Sequence, residues 1–270
     1  MRSQRFRSIR RCRGAIPSAA VVLLAACSLG QAQSTPTPSP PPGLQTASVA
    51  NGRFSVFYGV DAIAYAKSVQ RDLPHIVETS LQHIDHLLPG PRATVIIQVC
   101  DAPIAETGTC GLTSGTGLVS EVGFAATPGI TIETALDTWL PRTLAHEVHQ
   151  EVRSQSSTGR RTLLADLVLE GTADVFDNQA FPGEANPWDL AITPSQEHAL
   201  WAQAQLSLTS VGLYQDWMFG DSSMGIPHWA GFTIGYHIAA DYLLRHQATT
   251  TSTLATLPAA SILAGRDYSP

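Results

Sequence analysis

The chain predicts an α+β fold, a small sheet first and helices after. Three observations predict it. Short alternating or β-branched runs cluster before residue 134, segments of helical period dominate from Leu136 onward, and Arg142–Arg153 (RTLAHEVHQEVR) needs a helix to bring its polar residues together. The 270 residues include a leading segment that does not belong to the fold, and about 220 remain for one domain with a real core.

The first segment reads as targeting. Arg2, Arg5, Arg7, Arg10, Arg11 and Arg13 form a basic stretch, and Ala15–Ala26 is apolar but too short to span a membrane as a mature helix. It ends in LAAC, Leu24–Cys27, which looks like a bacterial lipobox. Residues 1–26 are therefore expected to be a lipoprotein signal peptide, with Cys27 lipidated and the protein anchored in the cell envelope. Ser28 in place of Asp suggests the periplasmic face of the outer membrane. Residues 27–50, rich in Pro, Ser and Thr at their start, read as an extended tether.

Loss of residues 1–26 leaves ten basic against 22 acidic residues, a net charge near −12. Such a surface argues against nucleic-acid binding. Two cysteines then remain, Cys100 and Cys110. In an oxidising compartment they are expected to form a disulfide.

The domain, residues 51–270, begins with an alternating strand, Arg53–Tyr58. Val60–Leu88 has helical period interrupted by Pro74, which suggests a break or two successive helices. Ala93–Cys100 is a β-branched strand. Asp101–Gly117, rich in Gly and Thr, reads as a loop, and Leu118–Phe124 and Gly129–Glu133 as short strands. Helices follow: the RTLAHEVHQEVR segment, the run around Glu170, Pro194–Leu208 and Trp229–Arg245. Trp188, Trp201, Trp217 and Trp229 read as packing or cleft-wall residues.

The chemistry concentrates in His146, Glu147 and Gln150. Positions i and i+4 of a helix lie about 40° apart on one face. In H-E-x-x-H, two histidines at that spacing hold Zn²⁺ and the Glu acts on the metal-bound water. Here Gln150 stands at the second histidine's place, and His149 stands one residue early. Glu170, a carboxylate on an otherwise apolar segment, is the candidate third ligand, and Asp174, four residues on, the candidate orienter of His146. Three arrangements stay open: zinc on His146, Gln150 and Glu170; zinc on His146, His149 and Glu170; or an empty, degenerate site. An amide oxygen is a weak zinc ligand beside imidazole.

LAHEVHQ (Leu144–Gln150), LEGTAD (Leu169–Asp174), WMFG (Trp217–Gly220), IPHWAGFTIGYHIAADYL (Ile226–Leu243) and ILAGRDY (Ile262–Tyr268) together resemble the predicted zinc-dependent proteases grouped as a domain of unknown function, number 2268. Glu170 followed by Asp174 also resembles the third-ligand helix of gluzincin metallopeptidases. The resemblance implies a zincin-like fold and a zinc metallopeptidase acting on a peptide or protein. Glu147 would be general base, His146, Gln150 and Glu170 would face the metal, and Asp174 and His149 would lie behind the ligands. A downstream tyrosine, here Tyr236, would steady the oxyanion. The alternative is a catalytically degenerate lipoprotein that keeps the shape as a binding module.

Overall fold

A computed structural model describes residues 44–114, 119–156 and 160–264. Residues 1–26, Cys27 and Tyr268 lie outside the described residues, and so do the expectations attached to them. The fold is α+β: five strands form one sheet in the order β1-β2-β3-β5-β4, and the rest of the chain is mainly helical.

β1 (Leu44–Val49) pairs antiparallel with β2 (Phe54–Gly59). Ala50, Asn51 and Gly52 turn the chain between them with positive φ. β1 corrects the expected tether, which ended at residue 50. Proline-rich composition masked an Asn51–Gly52 hairpin signal that was present. β3 (Ala93–Val99) runs parallel to β2, and β5 (Val119–Phe124) parallel to β3. β4 (Thr109–Thr113) closes the sheet, antiparallel to β5. It lies inside the segment expected to be a loop. Cys110 and Gly111 have little strand preference of their own, so the strand exists through its pairing with β5. Cys100 and Cys110 are joined in a disulfide that ties the end of β3 to this edge strand.

The helices α1 (Val60–Ser68) and α2 (Leu73–Leu87) are separate, and Asp72 caps α2 through the His75 amide. The expected strand at Gly129–Glu133 is absent: α3 (Ile132–Thr134) starts there, with Thr131 as its cap. An Ile-Thr-Ile run favours a strand, but a capping threonine outweighs it. α3 continues through a π-helical stretch, Ala135–Trp139, into α4 (Leu140–Ser156). Pro141 has no N–H to give back to residue 137, and the wider winding absorbs that loss. α5 (Leu163–Ala180), α6 (Pro194–Gln205), α7 (Tyr214–Met218), α8 (Ala230–Arg245), α9 (Thr251–Leu254) and α10 (Ala259–Ala264) follow.

Two apolar clusters result. Phe54, Val56, Val95, Ile97, Leu81, Leu144 and Val148 pack the sheet against α2 and α4. Leu167, Val168, Trp217, Ile234 and Ile238 pack α5 against the later helices. α4 and α5 meet between the two clusters, and that seam carries the polar residues.

α5 and α8 cross in backbone contact. A Cβ at Gly171 would lie 1.9 Å from the Gly235 carbonyl oxygen, and a Cβ at Gly235 2.2 Å from that of Leu167. Glycine is required at both positions because backbone, not a flexible side chain, fills the space. Gly171→Ala is therefore expected to destabilise the domain by about 3 kcal/mol, an overpacking cost, and lower Tm by roughly 6–12 °C. Gly183→Ala, where a Cβ meets nothing within 4 Å, is the matched control and should stay within about 0.5 kcal/mol. Equal melting of the two variants would rule out the tight crossing.

Candidate metal and catalytic site

α4 places three functions on three faces. Leu144 and Val148 face the sheet core; His146 and Gln150 face α5; Glu147 faces β4. From α5, Glu170 and Asp174 approach His146 from its two sides. Glu170 Oε2 lies 3.1 Å from His146 Nε2, and Asp174 Oδ1 lies 3.1 Å from His146 Nδ1. The Gln150 amide Nε2 is 2.8 Å from His146 Nε2 and 2.7 Å from Glu170 Oε2. The structure thus brings together His146, Gln150 and Glu170, with Asp174 behind the imidazole.

His149 is elsewhere. Its ring is fully buried, 5.4 Å from the Phe176 ring, and it does not line the cavity that His146, Gln150 and Glu170 share. Burial, with Arg153 and His146 nearby, lowers its pKa to about 3, so it stays neutral. One residue of offset turns a side chain by about 100°, which takes His149 out of both the metal-facing and supporting roles. Tyr236 is also displaced from its expected role. It packs on His237 and does not line the cavity beside His146. Tyr214, on α7, reaches the site instead: its hydroxyl donates to Glu170 Oε1 at 3.0 Å. No local signal in the sequence announces Tyr214, which lies 44 residues from its partner.

Glu147 is held by a cradle on the edge strand. Thr113 Oγ1 donates to Glu147 Oε2 at 2.7 Å. A Cβ at Gly111 would lie 2.2 Å from Glu147 Oε1, so the glycine makes room for the carboxylate. Burial pushes the Glu147 pKa up to about 7, while His146 and Thr113 pull it down.

Behind His146 is a second network. Asp177 Oδ2 lies 3.5 Å from His146 Nδ1. Arg142 donates to Asp177 at 2.9 Å, and Asn186 donates to both Asp177 oxygens. Trp188 Nε1 donates to Asp174 at 2.9 Å. Asp177 shares the α5 face of Glu170 and Asp174 at i+3 and i+7, a spacing that was readable in the sequence.

Two sets of atoms could hold a cation. His146 Nδ1, Asp174 and Asp177 are close together, but their carboxylates already accept from Arg142, Asn186 and Trp188. His146 Nε2, Glu170 Oε2 and the Gln150 amide form a triangle with edges of 3.1, 2.8 and 2.7 Å and lie on a cavity of about 190 Å³. Three ligands about 2.1 Å from a tetrahedral zinc stand roughly 3.4 Å apart. The triangle is a few tenths of an ångström tighter, and rotation of the amide presents oxygen in place of nitrogen. The residues fit an ion on this open side, with one weak donor of three.

Burial alone lowers the His146 pKa, but Asp174, Asp177 and Glu170 outweigh it and hold the value well above the ordinary one. A second proton and a metal ion therefore compete for Nε2.

The family described as "Predicted Zn-dependent protease (DUF2268)" matches residues 75–264, and the chain belongs to that family. No curated protein and no solved structure matches the chain.

Gln150→His is expected to raise zinc affinity at least tenfold, and His146→Ala to abolish binding, in competition with a chromophoric chelator. Zinc affinity of the wild type should rise with pH as the competing proton leaves. Equal affinity in wild type and Gln150→His would place position 150 off the ion.

Glu151, one turn beyond Glu147, is 1 % exposed and neither carboxylate oxygen has a partner. Burial raises its pKa to about 8, with Arg53 lowering it and Glu147 raising it. A raised carboxylate pKa means the unfolded chain ionises first, so stability is lost as pH climbs from the unfolded value toward 8. Glu151→Gln should thus stabilise the chelator-treated protein at pH 8.5, on the order of 2 kcal/mol, and change little at pH 5. Equal melting shifts at the two pH values would contradict this.

Proposed function

We propose that the chain is a metal-dependent peptidase whose hydrolytic centre is the His146–Gln150–Glu170 triangle with Glu147 beside it. The observation that carries the reading is the Glu147 cradle. A buried carboxylate near neutrality sits next to a metal-binding triangle and faces an open cavity. Family membership supports it independently. His146, Glu170 and the Gln150 amide would hold a zinc ion, which when bound supplies acidity to a water and charge to polarise a carbonyl.

Glu147 takes the proton of the attacking water and later gives it to the leaving amine. Thr113 orients the carboxylate for that transfer. Asp174 accepts from His146 Nδ1 and fixes the ring so that Nε2 points at the triangle. Tyr214 holds Glu170 by donating its hydroxyl proton to Oε1, and it forms part of the cavity wall. β4 is the free edge of the sheet and runs past Glu147. An extended peptide adds to such an edge through main-chain hydrogen bonds. Trp139, Trp188, Phe219, Trp229 and Phe232 line the cavity and suit a large apolar side chain of the substrate. The helix order and Glu170–Asp174 pair support a gluzincin-like plan.

The disulfide agrees with an exported protein, and we propose anchorage through lipid on Cys27 in the cell envelope.

A second reading has its own observation. Gln150 Nε2 donates to Glu170 Oε2 at 2.7 Å and lies 2.8 Å from His146 Nε2, so the three side chains hold one another without an ion. On that reading the cleft binds peptides without cleaving them.

Glu147→Gln should lower peptide hydrolysis by about 10²–10⁴-fold with zinc affinity unchanged. The check is turnover of quenched-fluorescent peptides alongside metal titration of the same samples. Bound peptide with no turnover in the wild type, zinc present, would favour the binding module.

A further inference from the structure

A second cavity, of about 410 Å³, adjoins the catalytic one, and Thr113, Gln150 and Arg161 line both. Its walls differ from the aromatic walls of the first. Arg153, Arg160 and Arg161 contribute to them, with Ser154 and Thr256.

Arg161 is neutralised: it donates to Asp166 at 2.7 Å and stacks on Tyr214 at 4.9 Å. Arg153 is not. It is 3 % exposed, donates to the Leu254 carbonyl at 2.6 Å, and no carboxylate among the described residues forms an ion pair with it. Burial lowers its pKa to about 10, which still leaves it charged at neutral pH. A buried guanidinium without a counter-ion is costly to keep. Arg160, exposed on the same cavity, also forms no ion pair among the described residues. Acidic residues outnumber basic ones 22 to 16 in the whole chain, so unpaired arginines beside the site are against its charge balance.

We infer that this cavity binds a carboxylate of the peptide substrate, with Arg153 as its principal counter-charge and Arg160 at its rim. The inference rests on the peptidase reading for where the peptide lies. The carboxylate has two sources, the free C-terminus or an Asp or Glu side chain. Charge-assisted hydrogen bonds from a guanidinium discriminate both from an uncharged amide. The cleft then runs from an aromatic cavity, past Glu147, to an arginine cavity. It selects peptides that carry an apolar residue and a negative charge a short way apart.

The probe is acetyl-Ala-Ala-Phe-Ala-Ala in three forms: free acid, C-terminal amide, and amide with Glu as the last residue. Binding is followed by tryptophan fluorescence of the full-length Glu147→Gln protein, with zinc present and with zinc removed. At least one carboxylate form should bind about tenfold tighter than the plain amide. Which form is preferred identifies the source. Arg153→Met in this background should bring the preference close to one, and Arg160→Gln, a surface change that leaves the fold intact, should cut it about threefold. Equal binding of all three peptides, or an unchanged preference in both arginine variants, overturns the inference. With Glu147 restored, cleavage lacking carboxylate preference sinks the arginine cavity and leaves the peptidase. Carboxylate preference without cleavage does the reverse.

Discussion

The contact on which the rest of this structure depends is the one between His146 of α4 and the carboxylates of α5. Glu170 and Asp174 grip the imidazole from opposite sides at the same distance, 3.1 Å. All three residues are buried, and each alone would be expensive to bury. Together they satisfy one another, and the ring has one orientation left to it. Arg142 and Asn186 donate to Asp177, and Trp188 to Asp174. The polar seam is asymmetric as a result. Its rear is crowded with protein donors, and its front, at Nε2, faces the open cleft. That asymmetry, more than the identity of any one residue, makes the front the chemical side.

Holding two helices in such a register takes more than apolar packing. α5 is positioned from behind by α8, with Gly171 and Gly235 letting the backbones touch. Gly171 directly follows Glu170, so this backbone contact sits beside a ligand candidate. The π-helical stretch leads directly into α4, and Trp139 at its end and Thr143 in the first turn of α4 both line the cavity. The disulfide pins β4 to the end of β3, and β4 carries Gly111 and Thr113 to Glu147. Three separate devices thus hold three sides of one site.

What could be read from the sequence follows from how local each cause is. Helical spacing relates His146 to Gln150 and Glu170 to Asp174, each pair within a single helix, so their shared faces are legible in the sequence itself. The same arithmetic could have excluded His149 and included Asp177. Residues recruited by tertiary contact gave no such signal. Tyr214 comes from a five-residue helix, and Thr113 from a strand that exists because β5 is beside it. Tyr236, singled out for its helix, does not line the cleft; burial and the nearby charges of Asp189, Asp174 and Asp177 raise its pKa. Element order survived because hydrophobic period is averaged over many residues. β1 was hidden by its proline-rich approach, and the expected strand at Gly129–Glu133 fell to a single capping threonine, since short elements hang on one or two side chains.

Gln150 brings these lines together. The amide has a place in the triangle without a cation: its N–H donates to Glu170 Oε2 at 2.7 Å, and its nitrogen lies 2.8 Å from His146 Nε2. A histidine there would offer one N–H between an imidazole nitrogen and a carboxylate, and would need a cation to be comfortable. The glutamine therefore lowers the dependence of the folded state on metal while weakening the donor set that would bind it. Because the amide turns through a single torsion, the same side chain could offer its oxygen to an ion in place of the nitrogen that now faces Glu170. A metal at this site would be held by one weak donor of three and would compete with the proton that the raised His146 pKa keeps on the ring.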